Sequence, residues 1–385
     1  MAKVAMIVSN PCNPDPRVEK EAKSLISEGH EVTIHAFDRA ENVDETQSNI
    51  AGVKIQRYRV GFTPMGAGSI FSGIKILIGL RKFRQKVLQF LVKNPPEIIH
   101  CHDADTIAIG IKLKEKQGTK LIFDMHDLAH TWARMDNPNS IIRKLISKKM
   151  EKNVVKHIRK CDLIVVSSGS ISEKSNLGFR EWIINHVPNQ DVIVVENRPI
   201  SISKIPPLPK KFTIGYAGII REISMFENLF QTIENWPEEE KPRILIAGHG
   251  AADAKLDELI NHSDLDIIRK HKFQSSEIDG IITEISVMFA VYPTTRGNIL
   301  DGALPTKMFD AAKLGRPSIV NSGCLMSDIA EEENLGISID QNDSSALMNA
   351  LMELKQQPMN VELERDWTNE VKQLINAYSI LENHS

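Results

Sequence analysis

The stretch EIIHCHDADTIAIGIKLKEKQGTKLIFDMHD, residues 97–127, holds two apolar runs, EIIHCH and KLIFDMH, with a helical pattern between them. Each run ends in polar groups: His100, His102, Asp103 and Asp105 at the first, Asp124, His126, Asp127 and then His130 at the second. Apolar strands alternating with helices build a parallel α/β sheet, and open α/β sheets bind ligands at the carboxyl ends of their strands. The eight side chains therefore admit three readings: a metal centre, an acid/base cluster, or the polar lip of a binding cleft. Against a metal, residues alternate sides along a strand, and no further distant His/Asp pair completes a ligand set.

The same alternation extends outward in both directions. KVAMIV, EVTIHAF and KIQRYRV read as earlier strands, and DLIVVSS and DVIVVEN as later ones. The helix from Arg17 to Glu28 carries Val18, Ala22, Leu25 and Ile26 on one face, and Gly29 stands where a left-handed cap is needed. Across residues 198–211, RPISISKIPPLPKK, four prolines and no periodicity mark a linker. Alternation restarts with FTIGYAG, RILIAGHG, LDIIRKHKF, VMFAVYP, PSIVNS and GISID. The expected architecture is α/β, with two Rossmann-like domains facing a cleft. Residues 1–197 form the first, 198–211 the linker, and the second begins at 212.

Composition agrees with this organisation. A chain of 385 residues with 42% hydrophobic and 25% charged side chains has the make-up of a two-domain globular protein. The opening MAKVAMIVSNPCNPD turns polar too soon for a secretory leader and reads as a buried first strand. The most apolar segment, IKILIGLRKFRQKVLQFLVK, is interrupted by Lys75, Arg81, Lys82, Arg84 and Lys86, which excludes a membrane span. Cys12, Cys101, Cys161 and Cys324 are scattered without a C-x-x-C pair, which fits a reducing cytoplasm. Net charge is −3 but unevenly held: residues 1–200 carry 30 Lys/Arg against 22 Asp/Glu, residues 201–385 carry 17 against 28. The basic excess concentrates in 75–86 and in RKLISKKMEKNVVKHIRK, 143–160, so an anionic membrane surface is an expected contact of the first domain. AGHGAAD, 247–253, is a weak partial match to a dinucleotide loop, with Asp253 in the place of its third glycine. No P-loop, nucleophile elbow or H-E-x-x-H is present.

Several segments taken in order resemble the glycosyltransferase family 4 group, retaining sugar-nucleotide enzymes of the GT-B fold. They are NPDPRVEKEAKSLISEGHEVTIHAF, IIHCHDADTIAIGIKLKEKQGTKLIFDMHD, EKNVVKHIRKCDLIVVSS, VIVVENRP, FTIGYAGIIRE, RILIAGHG, VMFAVYPTT and LPTKMFDAAKLGRPSIV, the last being the most specific. The tail DWTNEVKQLINAYSIL resembles the family's terminal helix. On that likeness 212–365 is the donor domain and 366–385 a helix crossing back to the first domain. The resemblance implies transfer of a hexose from a nucleotide-diphosphate sugar to a glycan or lipid-linked acceptor. No metal or other cofactor is expected, and no nucleic acid as partner. The implied place of work is the cytoplasm, at the inner membrane surface.

Residue roles follow from the same likeness. His126 matches the family histidine at the donor sugar and is the catalytic candidate. Gly218, Arg221, Asp301, Pro305, Lys307 and Asp310 are the donor-binding candidates, and Asp15, Arg17, His102 and Asp103 those facing the acceptor. Physically, a diphosphate leaving group without a metal needs cations, backbone N–H donors and helix N-termini, which Arg221, Gly218 and Lys307 offer. Two departures stand out. Gly302 occupies the position of the family's first motif acid, with Asp301 beside it. Phe226 stands five residues after Arg221, where the family has a second cation, leaving that part to Lys307. Two other functions share this outline: a sugar-nucleotide epimerase using Asp103, Asp105 or Asp124 as acid and base, and a non-catalytic sugar-nucleotide or glycan-binding subunit.

Overall fold

The computed structural model describes residues 1–383 apart from 51, 65–69, 136–138, 172–176 and 294. The chain divides into two compact units. The first comprises Met1–Gly169, Phe179–Glu196 and the chain from Asn369, and the second comprises Ser170–Gly178 and Asn197–Thr368.

The first unit is built on β1 (Lys3–Val8), β2 (Glu31–Phe37), β3 (Gln47–Ile50), β4 (Val53–Tyr58), β5 (Ile98–His102), β6 (Lys120–Met125), β7 (Leu163–Val166) and β8 (Val192–Val194). Their spatial order is β3-β4-β2-β1-β5-β6-β7-β8. All pair in parallel except β3, which folds back antiparallel on β4 at the edge. This edge hairpin escaped the sequence reading because QSNI has no apolar alternation. The central strands are buried along almost their whole length, as expected where helices cover both faces. Those helices are α1 (Pro16–Ser27), α2 (Ile70–Lys93), α3 (Ile107–Gln117), α4 (Ala129–Met135), α5 (Ile141–Ile158) and α6 (Phe179–His186). α1 starts where sequence dictates: Asp15 accepts from the backbone N–H of Val18 and Pro16 opens the first turn. It buries Val18, Ala22 and Leu25, one apolar stripe.

The second unit carries the all-parallel strands β9 (Thr213–Ala217), β10 (Arg243–Ala247), β11 (Ile267–Lys270), β12 (Val287–Ala290), β13 (Ser318–Asn321) and β14 (Gly336–Ile339), ordered β11-β10-β9-β12-β13-β14. Its helices are α7 (Ser224–Glu234), α8 (Asp253–Asn261), α9 (Ile278–Thr283), α10 (Gly297–Leu300), α11 (Thr306–Lys313), α12 (Leu325–Glu332) and α13 (Ser344–Gln356). Two apolar clusters form its core, one including Phe226, Phe230 and Leu347, the other Met308, Phe309 and Ile329.

The proline-rich stretch 198–211 is fastened to this unit, because Arg316 donates to the carbonyls of Pro206 and Pro207. The last helix, α14 (Trp367–Asn383), begins in the second unit and continues in the first.

Candidate functional site

In the first unit the carboxyl ends of β5 and β6 lie side by side with His102 opposite Asp124. Asp124 is fully buried and central. Its carboxylate accepts from the Arg17 guanidinium at 3.0 and 3.1 Å, and His126 Nε2 lies 3.3 Å from Oδ2. Burial alone would raise the Asp124 pKa, but Arg17, His126 and His102 hold it well below the usual carboxylate range. Burial works against a charged His126 as well. Asp124 and Asp103 outweigh it and push the imidazole up to about 9, so the ring is cationic at neutral pH.

His126 keeps 22% of its side chain exposed, whereas Asp124 has none, so the ring is the solvent-facing end of the network. Asp103 stands 3.7 Å from His126 Nδ1, held there by a backbone at φ +64. A non-glycine residue in that region is uncommon and recurs at functional sites. The bend is fixed by Asp103 N–H donating to the Asp124 carbonyl and by Thr106 Oγ1 donating to the His102 and Asp103 carbonyls.

Two of the acceptor-facing candidates lie buried behind the His126 ring. Arg17 is 5% exposed, donates to Asp124 and to the Val195 carbonyl and lies 3.1 Å from Glu21, so it organises Asp124. His102 is also buried, with Nδ1 3.2 Å from His126 Nε2, and supports that ring from behind. Asp15 is occupied as the cap of α1 and receives a hydrogen bond from Asn10 Nδ2 at 2.7 Å.

Beneath Asp124 lie residues that the sequence reading missed. Glu21 is wholly buried one turn after Arg17, 3.1 Å from its Nε. Burial and the adjacent Asp124 push Glu21 above the usual carboxylate range. Tyr378 of α14 meets His100 Nδ1 at 2.9 Å. Glu21 was legible as an acid on the buried stripe of α1, but Tyr378, far along the chain, had no local signal. Glu21, His100, His102 and Asp124 bring groups of metal-ligating type within 4.8 Å of one another. The counter-charge to Asp124 there is already supplied by the guanidinium of Arg17, which donates to both of its oxygens and lies 3.1 Å from Glu21.

In the second unit the carboxyl ends of β9 and β12 present Tyr216 and Tyr292. Lys307, in the first turn of α11, points its Nζ to within 3.6 Å of the Tyr216 ring centre and 5.0 Å of the Tyr292 ring centre. Arg296 lies over Tyr292 at 5.6 Å, and its Nε donates to Asn298 Oδ1 at 3.4 Å. Among the described residues neither cation meets a carboxylate. Desolvation, with Arg296 adding repulsion, pushes the Lys307 ammonium down to about 7. Gly218, at φ +148, leaves room for this group: a Cβ there would sit 3.5 Å from Lys307 Nζ. Arg221 is exposed nearby, close enough for its charge to act on both tyrosines.

Phe226, the departure from the family pattern, is a core residue whose ring packs edge-on against Tyr216 at 5.0 Å. It therefore holds the ring on which Lys307 rests. Tyr216, Tyr292 and Arg296 were absent from the sequence reading, although both tyrosines close strand runs by the rule that singled out Gly218.

The remaining donor candidates sit on the same loop and helix. Pro305 precedes α11, and Asp310, half-buried, follows Lys307 by one turn. Asp301 is exposed at the end of α10. Gly302 has φ +100, and a Cβ on it would fall 2.6 Å from the backbone of Gly178. A missing acid at 302 is thus a steric consequence of how this loop packs on Gly178.

Comparison with known proteins agrees with the fold. Residues 17–189 match the family described as Glycosyltransferase Family 4. Among solved structures, a sucrose-phosphate synthase from Thermosynechococcus elongatus is similar at TM-score 0.73 and 14% identity over 100% of both chains. The catalytic domain of starch synthase IV from Arabidopsis thaliana, bound to ADP and acarbose, is similar at 0.65 and 13% over 99% of both. A lipopolysaccharide outer core galactosyltransferase in its apo form is similar at 0.63 and 16%, over 98% of this chain and 99% of that one. Among curated proteins no sequence matches the chain. The fold is that of GT-B structures, two parallel α/β sheets in one chain, and residues 17–189 carry the likeness to Glycosyltransferase Family 4.

Proposed function

We propose that the protein is a retaining hexosyltransferase, moving a hexose from a nucleotide-diphosphate sugar to a glycan or lipid-linked acceptor. The observation that carries this reading is the cation cluster of the second unit. Lys307, half-buried between two tyrosine rings and without a carboxylate among the described residues, is a cation suited to an anion. A diphosphate supplies that anion, with Arg296, Arg221 and the first turn of α11 beside it. Asp310, one turn on, suits ribose hydroxyls. The starch synthase neighbour, whose structure holds ADP and acarbose, supports a nucleotide and a saccharide as the ligand types.

The first unit carries a charged group suited to the same chemistry. His126, kept cationic by Asp124 and Asp103, donates to the donor sugar and to the charge that builds up as the glycosidic bond breaks. In a same-face displacement the leaving phosphate oxygen takes the proton of the incoming hydroxyl, so positioning and charge stabilisation are the protein's tasks. Neither step calls on a metal. A lipid-linked acceptor sets this work at the inner face of a membrane.

The test is calorimetric titration of UDP, GDP and ADP and their hexose conjugates, in EDTA, into wild type, Lys307→Ala and Asp310→Ala. One nucleotide binding to wild type and weakened at least about tenfold in both variants is expected, the loss of one charge-assisted contact each. Binding that appears only with a divalent cation would return the first-unit acids and histidines as metal ligands and end this mechanism. Turnover of any donor by the purified protein would remove the non-catalytic reading.

A further inference from the structure

Exposed large apolar side chains are not spread evenly over this protein. Of twenty among the described residues, nine lie on two helices of the first unit, five on α2 and four on α5. On α5 they form one stripe: Ile141, Ile142 and Leu145 are 75%, 71% and 64% exposed, with Ile146 one step further round. The inward side of the same helix buries Ser147, Val154 and Ile158, so the stripe is a second, outward apolar face. On α2 the pattern repeats, with Phe71 and Leu77 80% and 69% exposed and Ile74 and Ile78 completing the turns. Such a face on a water-facing helix needs a partner.

Both faces are set among cations. Lys144, Lys148, Lys149 and Lys152 are exposed on α5, and Lys75, Arg81 and Lys82 on α2. The span 143–160 holds eight Lys/Arg and one Glu. Topology brings the two helices to one side of the sheet. α2, α3 and α5 each carry the chain in the same direction along the strand order, from β4 to β5, β5 to β6 and β6 to β7. α1 runs the other way, from β1 to β2, and right-handed crossovers place it on the opposite face. α3 packs against both α2 and α5. Helices that return antiparallel to their strands start at the carboxyl edge of the sheet, the edge that bears His126. The apolar first turns of α2 and α5 therefore sit at that edge.

We propose that α2 and the first half of α5 form one docking surface for an anionic phospholipid membrane. The apolar stripes enter the headgroup boundary and the flanking lysines and arginines meet lipid phosphates. No described helix is long and apolar enough to cross a membrane, so the contact is interfacial. A protein groove would accept the apolar stripe alone; seven exposed cations around it select a surface dense in negative charge. Docking of this kind leaves the carboxyl edge of the sheet next to the bilayer, within reach of an acceptor displayed there.

The experiment is vesicle flotation of the full chain without any donor, so its outcome is independent of the transfer chemistry. Vesicles of phosphatidylcholine alone are compared with vesicles containing phosphatidylglycerol, at low and high salt. Wild type should float with the anionic vesicles at low salt and less at high salt. Ile142→Ser/Leu145→Ser and Lys148→Glu/Lys149→Glu should each bind about tenfold more weakly or worse, with unchanged thermal unfolding because all four positions are exposed. Absence of anionic-vesicle binding at low salt, or equal binding by wild type and both variants, overturns the proposal. So does light scattering that shows a wild-type dimer, dissociated by Ile142→Ser/Leu145→Ser, in a protein that ignores vesicles; the stripe would then serve a second copy.

Discussion

Lys307 shows how much a single residue's surroundings decide. Its position at the start of a helix was readable from TKMFDAAK, but the two rings that help desolvate it come from β9 and from the loop after β12, outside its own helix. The consequence is a pH-dependent ligand site. With the free ammonium near pH 7, most molecules at pH 8 have a neutral Lys307. On the proposed function a diphosphate meets the charged form, so its binding would take up a proton. Calorimetry at pH 8 in two buffers of different ionisation enthalpy should show uptake approaching one proton in wild type and none in Lys307→Met. Affinity should weaken with rising pH by at most about tenfold per unit. If wild type takes up no proton, either the lysine is charged throughout or it does not meet the anion. His126 followed the opposite course: sequence singled out the residue, and the reason for its charge needed Asp124 and Asp103 in place.

At the scale of elements, the loop from α10 to α11 explains a departure that sequence alone left as a loss. Gly302 looks like a deleted acid until its backbone is seen, at φ +100 with Gly178 against the place of a Cβ. Gly302→Ala should destabilise the protein by about 1–3 kcal/mol, the cost of forcing a side chain into such a conformation, measured by denaturant unfolding. Gly302→Glu, which restores the family's residue type, should unfold the protein further and not tighten nucleotide binding. A stable Gly302→Glu variant with improved affinity would mean that the loop can bend and that the acid was simply lost.

The elements themselves were mostly legible. Long apolar runs such as KVAMIV and KLIFDMH became strands, since a parallel sheet covered on both faces needs uninterrupted burial. The hairpin strand β3 and the attachment of 198–211 to the second unit were not legible, because one depends on edge pairing and the other on carbonyls caught by Arg316.

At the scale of the molecule, buried ionisable groups should print themselves on stability. Glu21 has a folded pKa above its unfolded value of 4.5, so the folded state holds a proton that the unfolded chain gives up. Its contribution is therefore complete below pH 4.5 and declines as pH rises from there to about 8. His126, with a folded value of about 9, contributes fully below its unfolded 6.5 and loses that contribution as pH rises through 9. Thermal unfolding from pH 5 to 7 should show wild type losing stability relative to Glu21→Gln. Parallel curves would mean that Glu21 is ionised and held by Arg17 alone.

The division into units has a consequence for the gene. The chain passes between them after Gly169, Gly178, Glu196 and Thr368, four times in all. No single cut yields either half intact. A fragment ending at Glu196 would lose α14, and with it the hydroxyl that Tyr378 brings to His100 below the catalytic candidate. Exchange of the second unit between proteins of this fold thus requires several coordinated joints, so change by point substitution is more accessible than change by recombination.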